Sequence, residues 1–470
     1  MGETIPIAVV GMSCRMPGGA PSPEELWKVI ENGMATWTPV PKERFNEKAF
    51  HHPNINDPNG TSTHQGGHFI DADVQDFDHA FFHVSPHQAA ATDPQQRMLL
   101  ETTYEALENA GWSRDAVAGS NTAVYAASFT ADFDRNLYKD TLDLPVHYLA
   151  GSEESIMANR ISHVFDLCGP SVALDTACSG GLIALHQACQ SLTLNEIDAA
   201  VVVAGNLTLS PDHHLGMGHL HMLSDTGRSY PFDTRGSGYG RGEGFTVLIV
   251  KRLDEALRDR DPIHTVIRGI ASNHDGYTSK GLNYPNGQSQ AKLMRTTYSR
   301  AAVRPQDVAY VEAHGTGTVA GDHEELQAIA DVFAGPGRSL PLYVGSLKGN
   351  IGHLGNGSGL ASLIKAALVL KHQRIPPVAG FENPKPGLPL DRLNITKTLI
   401  DWPHAEGVIP RVSINSTGFG GANAHAIVEP APLVGLPAPH AVDLAEEPLL
   451  FVFSANSQAS LLAMLEAHRD

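Results

Sequence analysis

Short apolar runs of strand length alternate with longer helical patterns twice over in this chain, which points to the α/β class. In the first set, strands are expected over 5–10, 123–127, 172–174, 199–204 and 245–250. Between them, Ser22-Pro23-Glu24-Glu25 opens one helix, and Asp93-Pro94 opens another that runs through Asn109 and ends at Gly111. A second set restarts after Asp261, with strands over 263–270, 308–312 and 342–345 and helices over 287–302, 324–333 and 360–372. Two related halves are therefore expected, at 1–260 and 261–430. Residues 35–92 read as a loop-rich insertion. Residues 431–449, rich in Pro, Ala and acid, read as a linker, and 454–468 begin a further helix.

The 470 residues are ample for a buried core, and 42% hydrophobic with 18% charged residues suits a globular protein. The net charge of −18 lacks the basic footprint of a nucleic-acid binder. No apolar run approaches a membrane span; the strongest, 199–204, suits a buried strand. The N-terminus has no basic region followed by an apolar one, and Pro6 stands where a myristoylation signal needs Ser or Thr, so a cytoplasmic protein is expected. Four cysteines, with no Cys-x-x-Cys pair, argue against a disulfide framework and a structural zinc. His213, His214, His219 and His221 cluster, but no cysteine or well-placed carboxylate completes a metal set, so they read as loop and pocket histidines and no metal is expected.

Four segments carry chemistry. Residues 172–186 read as strand, sharp turn and helix, with Cys178 at the helix start, where free N–H groups and the helix dipole favour the thiolate of a group whose reference pKa is ~8.5. Gly180 and Gly181 leave room for a substrate to approach. On this stretch alone, a nucleophile and a buried structural cysteine are both open; Cys168 and Cys189 have no such setting. His314 ends a strand before a glycine loop, at the sheet edge where α/β ligands bind. The segment 315–320 also fits the G-x-G-x-x-A dinucleotide fingerprint, a competing reading. Lys348 and His353 sit on a comparable glycine-punctuated loop. Two such histidines with a cysteine at a helix start suggest one catalytic set. Finally, Gly418-Phe419-Gly420-Gly421 is either a tight loop aiming N–H groups at a developing oxyanion or an ordinary hairpin turn with a buried Phe.

Together the stretches DTACSGGL (175–182), EAHGTGT (312–318), GSLKGNIGH (345–353) and GFGGANAH (418–425) resemble the ketosynthase (β-ketoacyl synthase) domains of polyketide synthases. IAVVGMSCRMPGG, DPQQRMLLETTYEALENAG, GRSYPFD and GYGRGEG add to the likeness, which covers about 5–430; GGHFIDADVQDFD and ANRISHVFDLCGPS are most similar to fungal highly reducing iterative synthases. The tail from Leu450 is similar to the start of a ketosynthase–acyltransferase linker.

The resemblance implies a thiolase-like fold, two related halves in five alternating αβαβα layers, and a homodimer. It implies that Cys178 takes an acyl chain from the phosphopantetheine arm of a separate acyl carrier protein. His314 and His353 would then assist decarboxylation of a malonyl thioester, and the carbanion would attack the Cys178 thioester. The N–H groups of Cys178 and Phe419, beside Gly420, would bind the oxyanion, Lys348 would support the site, and Thr316 and Thr318 would bind the pantetheine arm. No directly bound cofactor is implied.

Some positions depart from the family pattern. Gly180 and Gly181 follow Ser179 where the family has serines, Gly355 stands where it has a glutamate two residues after the second histidine, and His274 replaces a glutamine. If that glutamate pairs with the lysine, Lys348 must find another partner here. No G-x-S-x-G acyltransferase elbow and no carrier-protein serine motif is present, so malonyl loading and the arm are expected from elsewhere, whether in a larger synthase or in trans. Two alternatives accompany the condensing reading: an altered ketosynthase performing acyl transfer, ester formation or cyclisation without elongation, and a non-catalytic dimer partner.

Overall fold

The computed structural model describes residues 5–52, 54, 66–432, 450–455 and 457–469. One compact unit runs to Ala431 and a second begins at Pro432. The first contains twelve strands among its described residues: β1 (Ile7–Arg15), β2 (Thr122–Ala127), β3 (Ser171–Leu174), β4 (Ala199–Asn206), β5 (Gly244–Arg252), β6 (Thr265–His274), β7 (Tyr310–Glu312), β8 (Tyr343–Gly345), β9 (Arg374–Ile375), β10 (Ile400–Asp401), β11 (Val412–Thr417) and β12 (Ala422–Pro430). Ten of them hydrogen-bond in the order β3-β2-β4-β5-β1-β6-β12-β11-β7-β8, and β9 pairs with β10 separately. The order reads alike outward from the centre: β1 and β6, each first in its set, lie side by side, pairing Ile7 with Ile267.

Burial shows how the layers form. In β4, Ala200, Val202 and Ala204 face one apolar cluster while Val201 and Val203 face another, so the strand is apolar on both faces because both are covered. The first cluster holds the apolar side chains of helices Gly180–Thr193 and Ser358–His372, together with residues from strands of both sets. These two helices form the middle layer. Outside the first set lie helices Pro94–Asn109 and Glu154–Phe165, with their own cluster. Outside the second set lie Gly287–Ala301 and Val319–Phe333, with a third. Helix, strand, helix, strand, helix gives the expected five layers.

Several boundaries differ from expectation. β1 does not end at Gly11 but passes it with a register shift and continues to Arg15, and β6 runs on to His274. The helix expected from residue 324 begins at Val319, straight after Thr318. The hairpin strands β11 and β12 were not among the expected ones. The described part of 35–92 contains only a single 3-10 turn, Glu47–Ala49, and a short helix, Pro86–Ala90. Beyond Ala431, helix Gln458–Ala467 is capped by Ser457, whose side chain accepts from Ser460 N–H; the rest of the expected linker, 433–449, lies outside the described residues.

Candidate active site

Cys178 lies in a single 3-10 turn, Ala177–Ser179, between the end of β3 and helix Gly180–Thr193. Ala177 holds φ 53°, a left-handed conformation unfavourable for a residue with a Cβ, so the bend is a strained one. The β11–β12 hairpin packs against it. A Cβ on Gly418 would stand 2.5 Å from the Thr176 carbonyl oxygen and 2.8 Å from Ser179 Oγ, so only glycine permits this approach. Ser416 Oγ donates to the Cys178 carbonyl at 3.1 Å. The backbone N–H groups of Phe419 and of Cys178 itself are directed at the sulfur. The segment is thus a hairpin turn, but its Phe419 side chain is 43% exposed rather than buried.

The thiol is 5% exposed, and this burial raises its pKa above the ordinary value. The Phe419 N–H and the Lys348 charge work in the opposite direction without overcoming it. Burial thus opposes the thiolate preference expected at the helix start, which the local N–H groups still favour. Gly180 and Gly181 do not face a substrate. A Cβ on Gly180 would meet Asn356 Cβ at 3.3 Å, and one on Gly181 would meet the Asn356 carbonyl at 2.7 Å, so these glycines let the 355–357 turn close onto the cysteine helix.

His314 and His353 reach the same place from two loops. Their ring centroids are 5.3 Å apart at 85°. Helix Val319–Phe333 fixes the first loop, as Glu325 accepts from the N–H groups of His314 (2.7 Å) and Gly315 (2.8 Å), and Asp322 from that of Gly317 (3.0 Å). The donors a pyrophosphate would need are thus already bound to two buried carboxylates, so the dinucleotide reading fails. A β-bridge pairs Arg241 with His353, and the His353 N–H donates to the Gly240 carbonyl at 2.7 Å. His353 Nδ1 lies 2.8 Å from Ser358 Oγ, which accepts from Leu354 N–H at 3.0 Å. Ser358 Oγ can donate its proton to Nδ1, and in that tautomer the imidazole proton stands on Nε2. Burial, reinforced by the Lys348 charge, lowers both histidine pKa values well below the ordinary one, so both rings are neutral at pH 7.

Lys348 is buried, and burial also lowers its pKa, opposed chiefly by Glu312 and Glu325. Glu312 in turn holds Lys365 at 2.7 Å and accepts from Tyr310 Oη and Leu347 N–H. The carboxylates that balance Lys348 therefore come from β7 and the following helix, whereas Gly355 faces Phe129 and Asn206.

Cys178, His314, His353, Thr316, Thr318, Phe419 and Gly420 all line one cavity of about 390 Å3, while Lys348 stands behind it. The Thr316 and Thr318 hydroxyls are 3.1 Å apart on its wall. His274, replacing a glutamine, holds the Gly420 carbonyl at 2.8 Å and so braces the Phe419 turn. A cavity of similar volume, about 380 Å3, contains Cys189 but neither paired histidines nor a helix start; burial raises that thiol to about 12. His213, His214 and His219 lie on helix Asp212–His219, and His221 lines the larger cavity. Sequence reasoning missed Glu325, Ser358, Tyr239 and Arg241. For Glu325 a signal existed: a carboxylate in the second turn of the helix after a glycine loop can reach back to that loop's N–H groups.

These layers and this cavity define a thiolase-like α/β protein. The chain matches the descriptions "Beta-ketoacyl synthase, N-terminal domain" over residues 4–256, "Beta-ketoacyl synthase, C-terminal domain" over 264–382 and "Ketoacyl-synthetase C-terminal extension" over 383–470. It belongs to the β-ketoacyl synthase family, whose members are acyltransferases. It is 62% identical over 463 residues, 98% of the chain, to Highly reducing polyketide synthase 17 of Metarhizium anisopliae, and 49% identical over 470 residues, 99% of the chain, to Highly reducing polyketide synthase SAT13 of Stachybotrys chartarum. It spans 15% and 20% of the lengths of those two relatives. Among solved structures, the ketosynthase from module 6 of the bacillaene synthase of Bacillus subtilis 168 is similar, with TM-score 0.87 and 32% identity, over 98% of this chain and 76% of that one.

Proposed function

We propose that this chain is the ketosynthase region of a highly reducing polyketide synthase and catalyses decarboxylative Claisen condensation. One observation carries the reading: Cys178, His314 and His353 line one cavity, with the Phe419 N–H directed at the sulfur. In the first step, Cys178 sulfur attacks an acyl thioester on the phosphopantetheine arm of a carrier protein. The new S–C bond replaces the old one, and the pantetheine sulfur leaves with the thiol proton. In the second step, a malonyl thioester loses carbon dioxide, and the electron pair of the broken C–C bond becomes an enolate. The neutral imidazoles of His314 and His353 donate N–H groups to its oxygen. The enolate carbon attacks the Cys178 thioester, the N–H groups of Cys178 and Phe419 hold the tetrahedral oxyanion, and Cys178 sulfur departs. Capture on Cys178 makes the C–C bond-forming step effectively unimolecular.

Thr316 and Thr318 would hold the pantetheine arm, as their position on the cavity wall allows. The divisions at 1–260 and 261–430 fit the symmetric strand order and a duplicated ancestor. A homodimer is supported by β3, an end strand of the sheet with Val172 40% exposed. Action in the cytoplasm is supported by four free cysteines. Acyltransferase and carrier functions would come from other domains.

The test offers acyl-loaded carrier protein to the purified chain and weighs it intact. Wild type should gain the acyl mass and Cys178→Ala should not; an equal adduct on the mutant removes the nucleophile assignment. Malonyl carrier protein labelled in its free carboxyl should then release labelled carbon dioxide with chain extension. An acylated enzyme that releases none would favour transfer without elongation.

A further inference from the structure

A much smaller void also borders Cys178. It shares Cys178, Tyr239 and His353 with the large cavity and is otherwise enclosed by Phe129, Asn206, Met217, Arg241 and Gly355. Its volume is about 10 Å3, room for roughly one water. Phe129, Met217, Tyr239 and Gly355 make part of the wall, Asn206 and His353 add polar groups, and Arg241 brings the one full charge. Arg241 is only 5% exposed, yet its Nη1 and Nη2 donate to no atom of the described residues. A buried guanidinium cannot shed its charge, so it needs an acceptor supplied from outside the protein's own side chains.

The backbone of Arg241 is tied to the site. Arg241 is bridged to His353, and its carbonyl accepts from His68 N–H at 2.9 Å. Gly355, with φ 55°, brings no side chain to answer the charge, and a Cβ there would stand 2.9 Å from Phe129 Cδ1 and 3.5 Å from Asn206 Oδ1. Met217, whose sulfur accepts from Tyr239 Oη at 3.3 Å, is the flexible wall whose rotation would lengthen the void.

We propose that Arg241 recognises an oxygen, carbonyl or hydroxyl, on the β-carbon of the acyl group carried by Cys178. This rests on the condensing role argued above. The void begins at the nucleophile and is about one water wide, so the acyl atoms that meet Arg241 are those a few bonds from the thioester. The malonyl carboxylate fits this place poorly. It must leave as neutral carbon dioxide, and pairing with a guanidinium would stabilise it more before the reaction than at the transition state. A neutral oxygen carries no such penalty. Arg241 thus acts as a specificity residue, favouring chains whose β-position is still oxygenated.

The test compares Cys178 acylation rates with the N-acetylcysteamine thioesters of butyrate and 3-hydroxybutyrate, read by intact mass. Wild type should favour the hydroxy substrate by about tenfold or more, as a charge-assisted hydrogen bond implies. In Arg241→Met the ratio should fall to about one. If that variant fails to fold, Arg241→Gln decides: it keeps a polar side chain without the charge and should likewise lower the ratio towards one. A wild-type ratio near one, or an undiminished ratio in the deciding variant, overturns the proposal. Butyryl labelling of Cys178 without any preference sinks this inference alone. No labelling by either thioester sinks the condensing function and this inference with it.

Discussion

Ser358 Oγ lies 2.8 Å from His353 Nδ1 and accepts from Leu354 N–H, so one hydroxyl at the first residue of a central helix ties that helix to the preceding turn and to the imidazole. Ser358→Ala should leave Cys178 acylation nearly intact, because the sulfur keeps the N–H groups directed at it. Decarboxylation should slow roughly fivefold, the worth of about 1 kcal/mol for one neutral hydrogen bond. Single-turnover measurement of the two half-reactions separates them; equal slowing of both would mean a general structural defect.

Removing the Lys348 charge should move three groups together. In Lys348→Met, His314 and His353 lose a neighbour that lowers their pKa values, and Cys178 loses one that favours its thiolate. Both histidine values should rise while staying below normal, because burial, the larger cause, remains. The thiol pKa should rise further. The rate of Cys178 alkylation against pH should shift to higher pH; a shift to lower pH would contradict the electrostatic account.

Acid should destabilise the fold earlier than carboxylate protonation alone predicts. His314 and His353 are buried and neutral, and His68 and His425 are depressed to about 3. Once unfolded, each would titrate near ~6.5. Below that pH the unfolded chain binds more protons than the folded one, so stability falls as pH drops from ~6.5 towards the folded values. Each histidine contributes up to ~1.4 kcal/mol per pH unit. The urea midpoint should therefore fall between pH 7 and pH 5.5, and His425→Gln should flatten that slope.

Gly418→Ala should separate the hairpin from the cysteine turn, since its Cβ would collide with the Thr176 carbonyl oxygen at 2.5 Å. A stability loss of about 1–3 kcal/mol is expected from such overpacking. Acylation should suffer more than that loss implies, because the Phe419 N–H moves with the loop. Thermal unfolding and acylation kinetics on the same sample check both.

The sequence made Cys178, His314, His353, Thr316, Thr318 and Phe419 legible because each sits in a short motif at the end of a strand or the start of a helix, where local chemistry is distinctive. The alternating apolar runs made the layers legible for the same local reason. Arg241 stands in GYGRGEG, but its place beside Cys178 was not legible, because the void it shares with Phe129 and Gly355 joins residues more than a hundred positions away on either side. The N–H groups that favour the Cys178 thiolate are legible at a helix start, whereas the burial that opposes them depends on everything packed around the sulfur. Gly180 and Gly181 were misread because the turn they accommodate, at Asn356, lies far along the chain.

The pairing of β1 with β6 joins the two runs of strands, and the side chains that meet at the cavity are divided across that seam: Cys178 follows β3, while His314 and His353 follow β7 and β8. Severing or exchanging either run by itself would part the sulfur from its imidazoles. Any rearrangement that preserves this cavity, in evolution or in engineering, has to keep the two runs together.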